Sequence, residues 1–276
     1  MLDPFQLPFM QRAALEVALL APVAGLLGAQ IVLRRLAFFT HGVGTAAFPG
    51  LVVAGPAGIP PALAAFAVGG GFAALLERLG RRAAIAWDAA TALVLVAALA
   101  VGIILASDVF ATGAGVDQLL FGSLLAVGSG ELIVTAIALV AALAAAARFR
   151  RRWIVHGFDD LGRGSAGPGG ATADLILLAV VAFAAIAAID AVGALLVSAV
   201  LVVPAATARL FATSVAGLEA GATAIALVEG LAGLVIAFHL DAPPGAVIAV
   251  LGAGVFAAAL AWRGLTSPSV AVEAGR

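Results

Sequence analysis

The chain has 276 residues, 64% of them hydrophobic and 11% charged, with a formal net charge of −1 and a mean hydropathy of +1.21. A soluble domain is nearer half apolar and a quarter charged, so these few charges cannot cover a water-facing surface, and soluble enzymes, disordered chains and nucleic-acid binders with their basic faces are excluded. Cysteine is absent and all 14 basic residues are arginine, which removes disulfides, thiolate nucleophiles and cysteine-based metal sites and leaves an all-α polytopic integral membrane protein of the cell membrane as the expectation.

The N-terminal MLDPFQLPFMQR has no basic region followed by a short apolar stretch and a cleavage site, so it is not read as a secretory signal. The first apolar run extends from Ala13 to Arg34-Arg35, enough to cross a hydrocarbon core of about 30 Å. Splitting the rest at charges and at Pro/Gly places further runs at about 43–58, 61–76, 88–106, 131–147, 174–189, 191–208, 214–238 and 244–262, about nine transmembrane helices in all. Pro60-Pro61 and Asp190 each divide a longer apolar stretch. Residues 116–127 (VDQLLFGSLLAV) are too short to span and read as a re-entrant or interfacial piece.

The arginines test this count. They lie at 34–35, 78, 81–82, 148, 150–152, 163, 209 and 263. Nine spans with the N-terminus outside put all of these on the cytoplasmic side, with Arg12 alone opposing, which is the N-out, C-in orientation. The other side then carries Asp108, Asp117, Asp190, His239 and Asp241. The longest polar segment, 148–173, is cytoplasmic, and its Gly/Ser/Pro-rich second half reads as flexible loop. No other segment could hold a soluble domain, and none resembles a phosphate-binding loop. Residues 1–276 are therefore one transmembrane domain, and a pump so built must take its energy from a partner or an ion gradient.

Lipid penalises polar groups inside spans, so those that occur are informative. Glu16, His41, Glu131, Asp190, Glu219 and Glu229 qualify. His41 stands in LAFFTHGVGTAAFPG with Thr45 four residues on, on the same face if the segment is helical. Imidazole suits zinc and other borderline transition metals, whereas a hydroxyl is a weak ligand; a satisfied interfacial histidine is the plain alternative. Gly42, Gly44 and Pro49 point to a locally broken helix. Glu219 and Glu229 share a span roughly 80° apart around the helix; Glu219 is placed to reach water, and Glu229 is deeper. Glu131 is expected to cap its helix after GSG, Glu16 to reach the outer interface, and Asp190 to be a turn residue. His156 and His239 read as solvated loop residues.

Four strings go further. MQRAALEVALLAPVAGLLGAQIVLRRLAFF, DQLLFGSLLAV, AVGALLVSAVLVVPAATARL and HLDAPPGAVIAV occur in that order. Together they resemble the manganese/zinc permeases of the ABC transporter superfamily (ABC-3 type) over about residues 10–262. The resemblance implies a membrane-spanning permease subunit that pairs with a second permease copy, usually as a homodimer. It also implies separate cytoplasmic ATPase subunits that bind and hydrolyse ATP, and an extracytoplasmic metal-binding protein. The permease would itself be no enzyme, and a divalent metal, zinc or manganese, would be its cargo rather than a cofactor.

Two departures bear on the site. Where the family pattern reads GDALSHAALPG, this chain reads THGVGTAAFPG, so His41 replaces the aspartate and Thr45 the histidine of the metal path. Loss of the carboxylate favours zinc over manganese. His41 and Thr45 are thus metal candidates, with Glu229 added from its burial alone. The family's coupling helix follows a Phe-Asp pair, matched here by Phe158 and Asp159 with Asp160 and Leu161 after them; the glycines beyond are poor helix formers. Two other readings stay open. One is a gradient-driven secondary transporter using Glu219 and Glu229, and the other is an ABC permease for an iron chelate or a non-metal cargo.

Overall fold

A computed structural model describes residues 4–82, 87–109, 120, 122–158 and 170–266. Every regular element among them is helical. In chain order the α-helices are α1 (Pro8–Leu33), α2 (Ala37–Ala46), α3 (Phe48–Ala57), α4 (Pro61–Arg82), α5 (Trp87–Ile104), α6 (Ser129–Phe158), α7 (Gly170–Ala187), α8 (Ile189–Val192), α9 (Val197–Arg209), α10 (Val215–Leu240) and α11 (Pro244–Thr266). α1, the joined α2–α3, α6, α10 and α11 are long and apolar enough to cross a membrane; shorter apolar helices lie within 61–72, 91–107, 172–187 and 197–209. Each apolar run expected from the sequence coincides with one of these segments.

Local chemistry sets the boundaries. Pro49 stands at the second position of α3 and supplies no N–H, and the helix breaks just before it at Ala47. α3 ends on Gly58 in the left-handed conformation (φ 65°), and Pro60-Pro61 then opens α4, the usual glycine exit and proline entry. Ser214 caps α10 by accepting the Gly217 N–H at 3.1 Å. Asp241 (φ 51°) closes the same helix, and Pro244 starts α11.

α1 is the central post, packed against α10, α9 and α6, while α2 sits among α5, α9, α7 and α4. Most of α1 and of α2–α3 is buried, whereas α6 and α11 turn most of their apolar side chains, Val140, Val250 and Leu260 among them, outward. An outer helix with an apolar face is what lipid contact requires. α1 and α9 approach so closely that a Cβ on Gly28 would sit 2.2 Å from the Leu201 carbonyl oxygen. Small residues at such crossings are the usual device for packing helices in lipid.

The break near Asp190 is wider than expected from the sequence. Asp190 lies in the single turn of α8, followed by Gly193 (φ 86°) and the turn 194–196. The described part of the 116–127 piece, residues 120 and 122–127, is packed against that break, with Leu124 and Val127 buried. Ser123 N–H donates to the Asp190 carbonyl at 3.2 Å, and Leu195 N–H donates to the Leu120 carbonyl at 3.2 Å. Two irregular segments thus satisfy each other's backbone, the condition for irregular chain at membrane depth. The 148–173 segment is also less loop than expected. α6 continues to Phe158 and α7 begins at Gly170.

Candidate functional site

α2 carries the sharpest site. His41 is half-buried, and its Nδ1 lies 3.2 Å from Ser198 Oγ near the start of α9. Thr45, one turn along the same face, is fully buried, and its Oγ1 has no hydrogen-bond partner. Gly44 lets this face approach α9: a Cβ there would stand 3.3 Å from the Ala194 carbonyl. One imidazole and one hydroxyl therefore meet at the α2–α9 contact, with the buried Thr45 hydroxyl one turn along α2. The pairing of Ser198 with His41 spans 157 residues of sequence and has no local signal.

Glu229 is not part of that cluster. It is buried, and its Oε1 has no partner. It lines a cavity of about 20 Å³ walled by α1, α9, α10 and α11, with Val17, Val200, Pro204 and Gly252 among its neighbours. The lining residues of α9 are Ala199, Val200, Val203 and Pro204, which lie on the helix face opposite Ser198. α9 thus stands between His41 and Glu229. Among the described residues no three or more His, Cys, Asp or Glu side chains gather to hold a metal ion.

Two other polar positions differ from expectation. Glu16 does not reach an outer interface: it is fully buried, and its Oε1 accepts the Thr135 hydroxyl at 2.6 Å. Burial without water makes such a partner obligatory. Glu219 is not merely wetted. Arg150 grips it bidentately, Nε at 3.0 and 3.1 Å and Nη2 at 2.8 Å. Asp190 is partly buried within the α8 break. Glu131 does cap α6, its Oε2 accepting the Gly128 N–H at 3.0 Å. His239 is exposed, with Nδ1 2.8 Å from the Val235 carbonyl. Of the coupling candidates, Phe158 ends α6, while Asp159, Asp160 and Leu161 lie outside the described residues.

The fold and these sites define a multi-pass helical membrane protein with buried polar groups between its central helices and no soluble domain among the described residues. The model of the ABC 3 transport family matches residues 6–263. The chain belongs to that family and is an ABC transporter permease, a transport subunit of the membrane. A Haemophilus influenzae protein named "Probable iron transport system membrane protein" is 30% identical over 263 residues, 95% of this chain and 96% of its own. The manganese transport system membrane protein MntC of Halalkalibacterium halodurans is 27% identical over 251 residues, 91% of this chain and 86% of its own. Among solved structures, PsaBC from Streptococcus pneumoniae in complex with Fab superposes with a TM-score of 0.82 at 25% identity, covering 94% of this chain and 93% of the matched one.

Proposed function

We propose that the chain is the membrane-spanning permease of an ATP-driven importer for divalent transition metal ions, zinc favoured over manganese. The observation that carries this reading is the His41–Ser198 contact between α2 and α9, with the buried Thr45 hydroxyl one turn along α2: an imidazole nitrogen, hydroxyls and no carboxylate. Nitrogen ligands suit zinc, while manganese prefers carboxylates. Relatives named for manganese and iron transport support a metal cargo.

In this reading the chain crosses the membrane nine times, N-out and C-in, and pairs with a second copy so that two His41 imidazoles supply the nitrogens one chain lacks. Separate ATPase subunits bind ATP and dock at Phe158, Asp159, Asp160 and Leu161. An extracytoplasmic binding protein delivers the ion. Glu229 belongs to the path as a deeper carboxylate, reached only when α9 moves, because α9 separates it from His41. Charge reversal at Asp159 and Asp160 is expected to impair ATPase assembly or stimulated hydrolysis. The test is ATP-dependent uptake of zinc, manganese and ferrous iron by the permease reconstituted with its ATPase and binding protein. Zinc taken up in preference supports the reading; hydrolysis by an assembled complex with no metal uptake contradicts it. An iron cargo is the second reading, favoured by the name of the Haemophilus relative, and preferential iron uptake would select it.

A further inference from the structure

One side chain ties together the ends of three helices. Arg34 follows the last residue of α1, and its guanidinium donates to Asp174 Oδ1 at 2.7 Å and to the Trp153 carbonyl at 3.0 Å. Trp153 is fully buried and donates its Nε1–H to the Ala173 carbonyl at 2.8 Å. Arg34, Trp153, Ala173 and Asp174 thus close a ring through α1, α6 and α7. Two of its bonds come from a guanidinium, which matches two acceptors at once as a point-charged ammonium cannot. The third is buried, where losing a partner is costly.

The ring has two sides. Trp153 stands five residues before the end of α6, and Ala173 and Asp174 lie in the first turns of α7. The ring therefore pins both stems of the α6–α7 connection. On its other side, α2 begins three residues after Arg34 and carries His41 and Thr45. The link between them is taut. Arg35 is left-handed at φ 57°, Leu36 N–H donates to the Ile31 carbonyl at 2.8 Å, and the Thr40 N–H and hydroxyl both return to the Leu36 carbonyl at 3.0 and 3.1 Å. A shift of the α6–α7 stems then has no slack to absorb it before it reaches the first turn of α2.

We propose that Arg34 is a positioning residue that transmits movement of the α6–α7 stems to α2, and so to His41 and Thr45, through its paired bonds to Trp153 and Asp174. The transport consequence rests on the reading of the α6–α7 connection as the ATPase contact; the mechanical link does not. A simple staple of the loop would make the same bonds but would leave α2 indifferent to their loss.

The deciding measurement is amide hydrogen exchange on the full chain in lipid nanodiscs, comparing wild type with Arg34→Gln, Arg34→Lys and Asp174→Asn. The expected result is several-fold faster exchange at the α6 and α7 ends and also across the first turn of α2, with Arg34→Lys intermediate. Faster exchange confined to the α6 and α7 ends would overturn the proposal and leave Arg34 a staple. Asp174→Asn keeps an acceptor and decides the same question should Arg34→Gln fail to fold. In the reconstituted complex, Arg34→Gln should move several-fold less cation per ATP hydrolysed; wild-type yield per ATP would contradict the coupling role. Absence of uptake by the wild-type complex would instead refute the cargo reading and leave the exchange result standing.

Discussion

At His41 the polar chemistry of α2 reduces to one ring nitrogen and the hydroxyls near it. The imidazole was legible because lipid makes any histidine within an apolar run conspicuous. Its partner Ser198 was not, because nothing in a sequence pairs residues so far apart. A double change, His41→Asp with Thr45→His, restores an oxygen and a nitrogen one turn apart on α2. It is expected to shift uptake preference toward manganese, and competition between the two metals in proteoliposomes measures that shift. Glu16 makes a second residue-scale point. Its Oε1 takes the Thr135 hydroxyl while its Oε2 is buried without a partner. Thr135→Val should therefore cost about 1–3 kcal/mol by stranding a buried acceptor, whereas Glu16→Gln keeps the acceptor and should cost less. Thermal unfolding in detergent ranks the two. The sequence placed Glu16 near an outer interface because it lies one turn into the first span; only packing of α6 over it removes the water.

At the scale of elements, several helix ends were readable and helix neighbours were not. Pro49, Gly58, Pro60-Pro61, Ser214 and Pro244 each act within one turn of chain, so their effect follows from local backbone chemistry. The mutual repair of the α8–α9 break by residues 120 and 122–127 joins segments some seventy residues apart, and the sequence shows only one piece too short to span and a division at Asp190. The α1–α9 crossing can be tested directly. Gly28→Val places a side chain against the Leu201 backbone, and forcing α9 outward should cost roughly 1–3 kcal/mol. A lowered midpoint in a thermal scan, with Gly254→Val as a control where a Cβ meets open space, is the expected pattern. Equal midpoints would show that the crossing tolerates a wider gap.

At the scale of the whole molecule, arginines gather the helix ends at one pole. Arg34 joins α1 to α6 and α7, Arg150 joins α6 to α10 through Glu219, and Arg209 reaches the Val32 carbonyl at the end of α1. These arginines thus form a structural collar. Its pairs are partly exposed, so each should add little: Glu219→Gln is expected to lower stability by about 1 kcal/mol or less, an effect that shrinks in high salt. The central claim concerns the cargo and the residue that meets it. ATP-dependent zinc uptake by the reconstituted complex, compared between wild type and His41→Ala, tests it most directly. Uptake by wild type and its loss in His41→Ala, with ATP hydrolysis and assembly retained, is the predicted result. Unchanged zinc uptake in His41→Ala would contradict the account, because the ion would then cross without the imidazole on which its selectivity is argued.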